Sequence, residues 1–383
     1  MYPTAPSPDP SARRALLVGV AREPQQILEV EEHLDELAAL AESTGVRVGG
    51  RTLQVRRVLE PGTLIGRGKA AELVALADEA GADLILFDED LSGGQVKNLE
   101  EIVGRQVMDR SGLILELFHQ RARSGEARTQ VELARLNYLL PRLTRRWRHL
   151  SRQTGGIGVR GGEGETQLEA DRRVLRRAIS RLSRDLKQIE RTRALHRRGR
   201  RGTATVALAG YTNAGKSTLF NRLTHAQVLA EDRLFATLDS RLRRGSLGPQ
   251  APVVLFADTV GFIRKLPHHL VASFRSTLEE VSEADLVLHV VDASHPAWHE
   301  QRDVAAAVLR ELGVADDRLV MVYNKVDRLA TPPLAAPGEL WISATSGAGV
   351  DELKAEVRRR LGRERTPGTA PDSEAEAPLE VGS

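Results

Sequence analysis

The sequence predicts an α/β protein in three parts: an N-terminal parallel α/β domain, a long antiparallel helical hairpin, and a P-loop domain built on a doubly wound sheet. Three observations carry that prediction. Short apolar runs of buried-strand type alternate with helical repeats between Ala15 and Asp109, the pattern of a parallel sheet covered by helices. Farther on, Leu168, Leu175, Leu182 and Ile189 recur every seventh residue, with Ile179 and Leu186 four after two of them, which makes one long helix with a single apolar stripe. Finally, Gly210-Tyr-Thr-Asn-Ala-Gly-Lys-Ser217 directly follows the apolar run Val206–Ala209, giving the strand, Gly-rich turn and helix of a phosphate-binding loop.

In chain order, residues 1–12 are rich in Pro and Ser and are expected to be disordered. The N-terminal domain spans 13–112. It reads as strand Ala15–Val20, helix Ile27–Ala41, an extended stretch Val46–Val58, a turn at Gly66-Arg-Gly68, helix Ala70–Ala80, strand Ala82–Phe87, helix Ser92–Val103 and strand Gln106–Asp109. From Leu113 strand-like runs stop and helices are expected over Leu113–Arg123 and Thr129–Arg148. The seven-residue repeat then returns antiparallel to the second of these, closing a hairpin over 113–195. Its tip, 153–167, crowds Gly155, Gly156, Gly158, Gly161, Gly162 and Gly164 beside Arg152 and Arg160. A packed connector needs far fewer glycines, because each costs conformational entropy, so this tip is expected to approach RNA phosphates closely. Residues 196–202 read as a basic linker, 203–361 as the P-loop domain and 362–383 as a disordered polar tail.

Composition excludes several classes. Cys is absent and the His residues show no metal-binding spacing, so neither a disulfide nor a thiolate zinc site is available, and the expected metal is Mg²⁺ carried with a nucleotide. No apolar run is long enough to span a bilayer, and the start lacks the regions of a signal peptide. The expected location is the cytoplasm, with a peripheral fraction at the membrane and no integral membrane segment. The net charge of +3 hides two basic clusters without acids: Arg142, Arg145, Arg146, Arg148 and Arg152, and then Arg191, Arg193, Arg197, Arg198, Arg200 and Arg201. Facing one partner, they would bind a phosphate backbone in a salt-dependent way.

The candidate site gathers at strand ends. Gly210, Tyr211, Thr212, Asn213, Ala214, Gly215, Lys216, Ser217 and Thr218 are expected to cradle a polyphosphate with inward N–H groups, Lys216 reaching the β and γ phosphates and Ser217 reaching Mg²⁺. The run Pro252–Ala257 ends in Asp258-Thr-Val-Gly261. Asp258 is expected to hold Mg²⁺ through water and Gly261 to offer its N–H to the γ-phosphate. The run Leu319–Tyr323 delivers Asn324-Lys-Val-Asp327, which decides the base. The Asp327 carboxylate can accept from both N1–H and N2–H₂ of guanine, whereas adenine has no such donor pair. Asn324 is expected at the base edge, the stem of Lys325 over the ring, and Ser343, Ala344 and Thr345 at the end of a last strand, Trp341–Thr345, with the Ala344 N–H at guanine O6. Thr237 is the candidate that closes on Mg²⁺ while the γ-phosphate is present. Phe262 stands where many GTPases carry a water-orienting Gln. Catalysis must then be slow, or rest on backbone, a cation or a partner. Asn213 is a candidate ligand for a monovalent cation, although an ordinary loop cap accounts for it equally well on the residues alone.

Taken together, the motifs resemble the HflX family of translational GTPases, from Arg14 to Leu361. The marks are Ile65-Gly-Arg-Gly-Lys69, Asn98-Leu-Glu100, Asp109-Arg-Ser-Gly-Leu-Ile-Leu115, Gln130-Val-Glu-Leu-Ala134, Leu150-Ser-Arg-Gln153, the Gly-rich tip, Gln167-Leu-Glu-Ala-Asp-Arg-Arg173 and the phosphate loop. The resemblance implies a Ras-like sheet and hydrolysis of GTP to GDP and phosphate. It further implies binding to the large ribosomal subunit and its rRNA, with the hairpin tip directed toward the peptidyl transferase centre, and splitting of stalled or idle ribosomes under stress, hydrolysis triggering release. It also places Phe262 among hydrophobic replacements of the catalytic Gln and matches Asn213 to the position associated with K⁺. Two departures stand out. The tip reads Arg160-Gly-Gly-Glu-Gly-Glu165 where the family typically has R-G-P-G-E, so proline's rigidity is lost. The C-terminus is a short tail where some members carry a further folded domain. A monomer is the expected state. Two other readings stay open on sequence: a regulatory GTP-binding adaptor acting on a protein partner, with the hairpin as a dimerising coiled coil, and an RNA-remodelling protein whose N-terminal domain binds ATP. No phosphate-loop signature occurs between Ala15 and Asp109.

Overall fold

Alternate residues of the first apolar run face opposite ways, and both sides find helices. The computed structural model describes residues 13–143, 167–198, 203–226, 234–235, 237–238, 241–249, 251–265, 275–331 and 339–364. Its first part is β1 (Arg14–Ala21), α1 (Ile27–Ser43), β2 (Arg47–Val55), α2 (Arg67–Glu79), β3 (Leu84–Phe87), α3 (Gly93–Val103) and β4 (Gln106–Asp109). The strands form a parallel sheet in the order β2-β1-β3-β4. Ala15 and Leu17 pack with Leu34, Leu37 and Leu40 of α1 on one face, while Leu16, Val18 and Val20 pack with Leu73 of α2 and Leu99 of α3 on the other. Burial on both faces explains the near-continuous apolar character of β1.

Several boundaries differ from the expected ones for local reasons. Gly66 is the N-cap of α2, so Arg67 and Gly68 lie inside the helix rather than in a turn. Helix α4 (Arg110–Arg121) begins before Leu113 because the Asp109 side chain accepts from the Gly112 N–H and caps it. Helix α5 (Gly125–Leu139) stops short of Arg148 at the 3-10 turn Leu140–Arg142, where Pro141 supplies no N–H. Helix α6 (Gln167–Arg198) continues through His196–Arg198, residues expected in the linker. It lies against α5. Near its start, Arg172 reaches the Leu143 carbonyl just beyond the end of α5, at 3.4 Å, which is the antiparallel sense. Of the stripe, Leu175, Ile179, Leu182 and Ile189 are half-buried and Leu186 is fully buried. The tip residues Arg152, Gly155, Gly156, Gly158, Arg160, Gly161, Gly162 and Gly164 lie outside the described residues.

Among the described residues, the hairpin base shares its core with the N-terminal sheet. Leu113, Ile114, Leu117 and Phe118 of α4 and Val131 and Ala134 of α5 share the cluster formed by β1 and α1. Arg142, expected to face a phosphate backbone, is instead drawn into the base: it donates to the Leu91 carbonyl and to Asp109 Oδ2, both at 2.7 Å, and lies 3.6 Å over the Tyr138 ring.

The remaining elements are β5 (Thr205–Gly210), α7 (Lys216–Thr224), β6 (Arg241–Ser246), β7 (Val253–Asp258), α8 (Arg275–Ser282), β8 (Leu286–Asp292), α9 (Trp298–Glu311), β9 (Leu319–Asn324), β10 (Leu340–Trp341) and α10 (Val350–Glu364). The sheet order is β10-β9-β8-β5-β7-β6, with only the β6–β7 pair antiparallel. Val206 and Leu208 face Leu219 and Phe220 of α7 and Leu353 of α10. Ala207 and Ala209 face Leu278 of α8 and Leu309 of α9. The sheet is thus doubly wound, and its order reverses beside β5, the crevice where open α/β sheets take ligands. The last strand is only two residues long, shorter than the expected Trp341–Thr345, and α10 extends to Glu364. Among the described residues, no helix is long and apolar enough to cross a membrane.

Candidate nucleotide site

The phosphate loop needs its glycines where the backbone runs left-handed. Gly210 has φ +144° and a Cβ there would stand 2.1 Å from the Val290 carbonyl oxygen. At Gly215, φ is +91° and a Cβ would meet Asn324 Nδ2 at 2.2 Å. Another residue would have to displace the Val290 backbone at 210 or the Asn324 side chain at 215. Helix α7 then starts at Lys216, so its free N–H groups open toward the loop.

Lys216 is buried, and its Nζ donates to the carbonyls of Tyr211 at 2.7 Å and Gly210 at 3.2 Å. Burial pulls its pKa down to about 8, Asp258 opposing and Lys325 reinforcing that shift. A buried ammonium with only carbonyl partners is short of counter-charge, which a polyphosphate would supply.

Ser217, Thr237 and Asp258 converge. Ser217 Oγ donates to Asp258 Oδ2 at 2.8 Å, Thr237 Oγ1 donates to the same oxygen at 3.0 Å, and the two hydroxyls are 2.9 Å apart. Asp258 Oδ1 is buried with no hydrogen-bond partner, and burial raises the carboxyl pKa. Three hard oxygen donors around one point, one of them an under-satisfied carboxylate, fit Mg²⁺ held with few protein ligands. Gly261 lies against the loop: a Cβ at this position would meet Thr212 Cα at 2.7 Å and Lys216 Nζ at 3.1 Å. Phe262 turns its ring into the core below β5 and uses only backbone toward the site, donating to the Gly210 carbonyl at 3.0 Å and accepting from the Thr212 N–H at 2.7 Å. Asn213 sits at φ +60° with its side chain exposed, and Thr218 is half-buried on the first turn of α7.

The base side is tied together by Asn324. Its Nδ2 donates to the Ala214 carbonyl and its Oδ1 accepts from the Ala344 N–H, each at 2.9 Å. The Ala344 N–H, expected at guanine O6, donates to Asn324 in this structure. A carbonyl at that point would share it. Ser343 is fully buried and its Oγ accepts from the Ser346 N–H at 3.0 Å, while Thr345 is exposed and its carbonyl accepts from Arg222. Lys325 has φ +67° and its Nζ pairs with Asp292 Oδ2 at 2.6 Å. Asp327 stands exposed in the short turn Val326–Arg328. Asp292 escaped the sequence reading, yet a carboxylate ending β8 in register with Asn324 was a usable signal.

Residues 205–325 match the family described as 50S ribosome-binding GTPase, 31–119 the GTP-binding GTPase N-terminal family and 121–200 its Middle Region. A GTPase HflX from Magnetococcus marinus is 48% identical over 86% of this chain and 78% of its own. The GTPase HflX of Escherichia coli is 45% identical over 87% of this chain and 80% of its own. A solved GDP complex of SsGBP is 22% identical, covering 92% of this chain and 99% of that one, with a TM-score of 0.48. Identity near one half over most of both chains, together with the phosphate loop and guanine motif at successive strand ends, places the chain in the HflX family of GTPases, and it hydrolyses GTP.

Proposed function

We propose that the chain binds the large ribosomal subunit in its GTP state and separates the subunits of stalled or idle ribosomes, and that hydrolysis releases it. The observation that carries this reading is a GTPase site joined to an arginine-lined arm. Helix α6 has 32 residues, a length of about 48 Å at 1.5 Å per residue. Arg172, Arg173, Arg176, Arg177 and Arg184 line one groove of it, of about 650 Å³. Such a row of guanidinium groups suits a phosphate backbone better than a protein surface.

At the site, the phosphate loop would cradle the phosphates, Lys216 would reach β and γ, and Ser217, Thr237 and Asp258 would hold Mg²⁺. When bound, the metal neutralises charge developing on the transferred phosphoryl group. Gly261 offers its N–H to the γ-phosphate. Asn324, Lys325 and Asp327 read guanine, with Ser343, Ala344 and Thr345 closing its edge. Since Phe262 cannot orient water, that task falls to backbone and to the ribosome, and Asn213 would be the residue to hold a K⁺ beside the phosphates. We place the protein in the cytoplasm, with a fraction peripheral at the membrane, as a monomer of three units at about 13–112, 113–195 and 203–361.

Replacing Gly155–Glu165 by a Ser-rich loop is expected to abolish subunit separation in sucrose gradients while intrinsic GTP hydrolysis stays within about twofold, because the phosphate loop belongs to a different unit. Full separation by that variant would reduce the tip to a plain connector.

A further inference from the structure

We propose that Tyr138 and Arg142 are positioning residues for the splitting arm: clamped on Asp109, they fix the direction in which the chain leaves the N-terminal unit toward the tip. The inference rests on the splitting role proposed above. Its basis is one fully buried carboxylate that four donors share. Asp109 Oδ1 accepts from the Gly112 N–H at 2.9 Å and from the Tyr138 hydroxyl at 2.7 Å. Oδ2 accepts from the Leu91 N–H at 3.0 Å and from Arg142 Nη2 at 2.7 Å. Two of these donors belong to the N-terminal unit and two to the hairpin, so the carboxylate joins them with its acceptor capacity filled. Arg142 adds a bond from Nη2 to the Leu91 carbonyl at 2.7 Å and one from Nη1 to the Tyr138 carbonyl at 3.0 Å. Burial, and then the Asp109 charge, push the Tyr138 phenol upward, so its hydroxyl stays a donor.

The main chain is shaped for the same approach. A Cβ at Gly93, the first residue of α3, would stand 2.7 Å from Arg142 Cα, and one at Gly112 would stand 2.7 Å from the Tyr138 hydroxyl oxygen. The place of the clamp in the chain gives it a role. Arg142 ends the turn that follows α5, and in chain order the tip sequence comes next. Apolar packing of Val131 and Ala134 has no direction of its own and tolerates small rotations, whereas hydrogen bonds to a buried carboxylate weaken steeply off axis. Such bonds at the point of departure make the arm an extension of the sheet. A loosened departure would spread the tip over many directions, few of them suited to one rRNA surface, and ordering it on binding would cost affinity.

The test uses Tyr138→Phe, Arg142→Gln and Gly93→Ala. The last presses a methyl group on Arg142 without removing a polar group, and it serves should Arg142→Gln fail to fold. Nitroxides at Leu28→Cys and Val174→Cys, both exposed positions in a chain without native Cys, report the distance between α1 and α6 by double electron–electron resonance. Each variant is expected to broaden that distance distribution about twofold and to slow subunit separation in sucrose gradients about tenfold, while GTP turnover without ribosomes stays within about twofold. Arg142→Lys, whose ammonium still donates to Asp109, is expected to lie between wild type and Arg142→Gln in both readouts. An unchanged distribution in Tyr138→Phe and Gly93→Ala, a broadened one with full separation, or GTP turnover falling in step with separation would each overturn the proposal. Failure of the wild type to separate subunits would instead sink the splitting role, and the distance distribution would show independently whether the clamp holds the arm.

Discussion

Asp327→Asn is expected to turn base preference from guanine to xanthine by roughly 10³-fold, measured as competing GTP and xanthosine triphosphate hydrolysis. The carboxylate stands at the end of β9, carried in a 3-10 turn that follows the left-handed Lys325. Its neighbour Asn324 is committed on both sides to Ala214 and Ala344. Asp327 is therefore the group left to read the donor pair of guanine. An Asn amide can accept from N1–H through its oxygen but meets the exocyclic N2–H₂ with a donor, and that unmade bond is penalised inside a closed site. Xanthine replaces the exocyclic amine by a carbonyl, and the Asn N–H then has an acceptor. Unchanged preference for GTP would show that the base lies elsewhere.

The second large effect is at Lys216. Lys216→Met is expected to lower hydrolysis by about 10²–10³-fold, the usual loss for one donor aimed at developing charge. The same change is expected to leave the nucleotide-free protein no less stable. The ammonium is buried and its pKa is held down at about 8, against an ordinary 10.5. The sign follows from linkage. Between those values the unfolded chain binds a proton that the folded chain does not, so the wild type gains stability as pH rises from 8 toward 10.5 and carries the full burial penalty below 8. Methionine keeps the length and removes that penalty. Chemical denaturation at pH 7 and pH 10 checks both halves: the variant is expected to match or exceed wild type at pH 7 and to lose that advantage at pH 10. A variant that hydrolyses GTP normally would remove Lys216 from the reaction.

How far the sequence reveals such a site depends on where its contacts come from. Motifs at strand ends are legible because one strand and one turn set their geometry: Val206–Ala209 leads into the phosphate loop, and Leu319–Tyr323 into Asn324-Lys-Val-Asp327. The doubly wound sheet is legible because residues such as Val206 and Ala207 must both be buried, on opposite faces. What escapes is tertiary. Nothing around Glu36 marks it as the partner of a tyrosine 175 positions away. Likewise, the Ala344 N–H could not be known to donate to Asn324 until both loops met. The early end of α5 is different. Pro141 announces it, and the apolar repeat running past it masks the signal.

The central claim is that the ribosome completes a catalytic site that this chain alone leaves without a water-orienting side chain. It is tested most directly by GTP hydrolysis with and without large ribosomal subunits, in K⁺ and in Na⁺ buffer, with subunit sedimentation on the same samples. Strong stimulation by the subunit, separation of ribosomes in the gradient and a lower rate in Na⁺ are the expected results. Equal rates with and without ribosomes, together with no co-sedimentation, would contradict it and point instead to a protein partner.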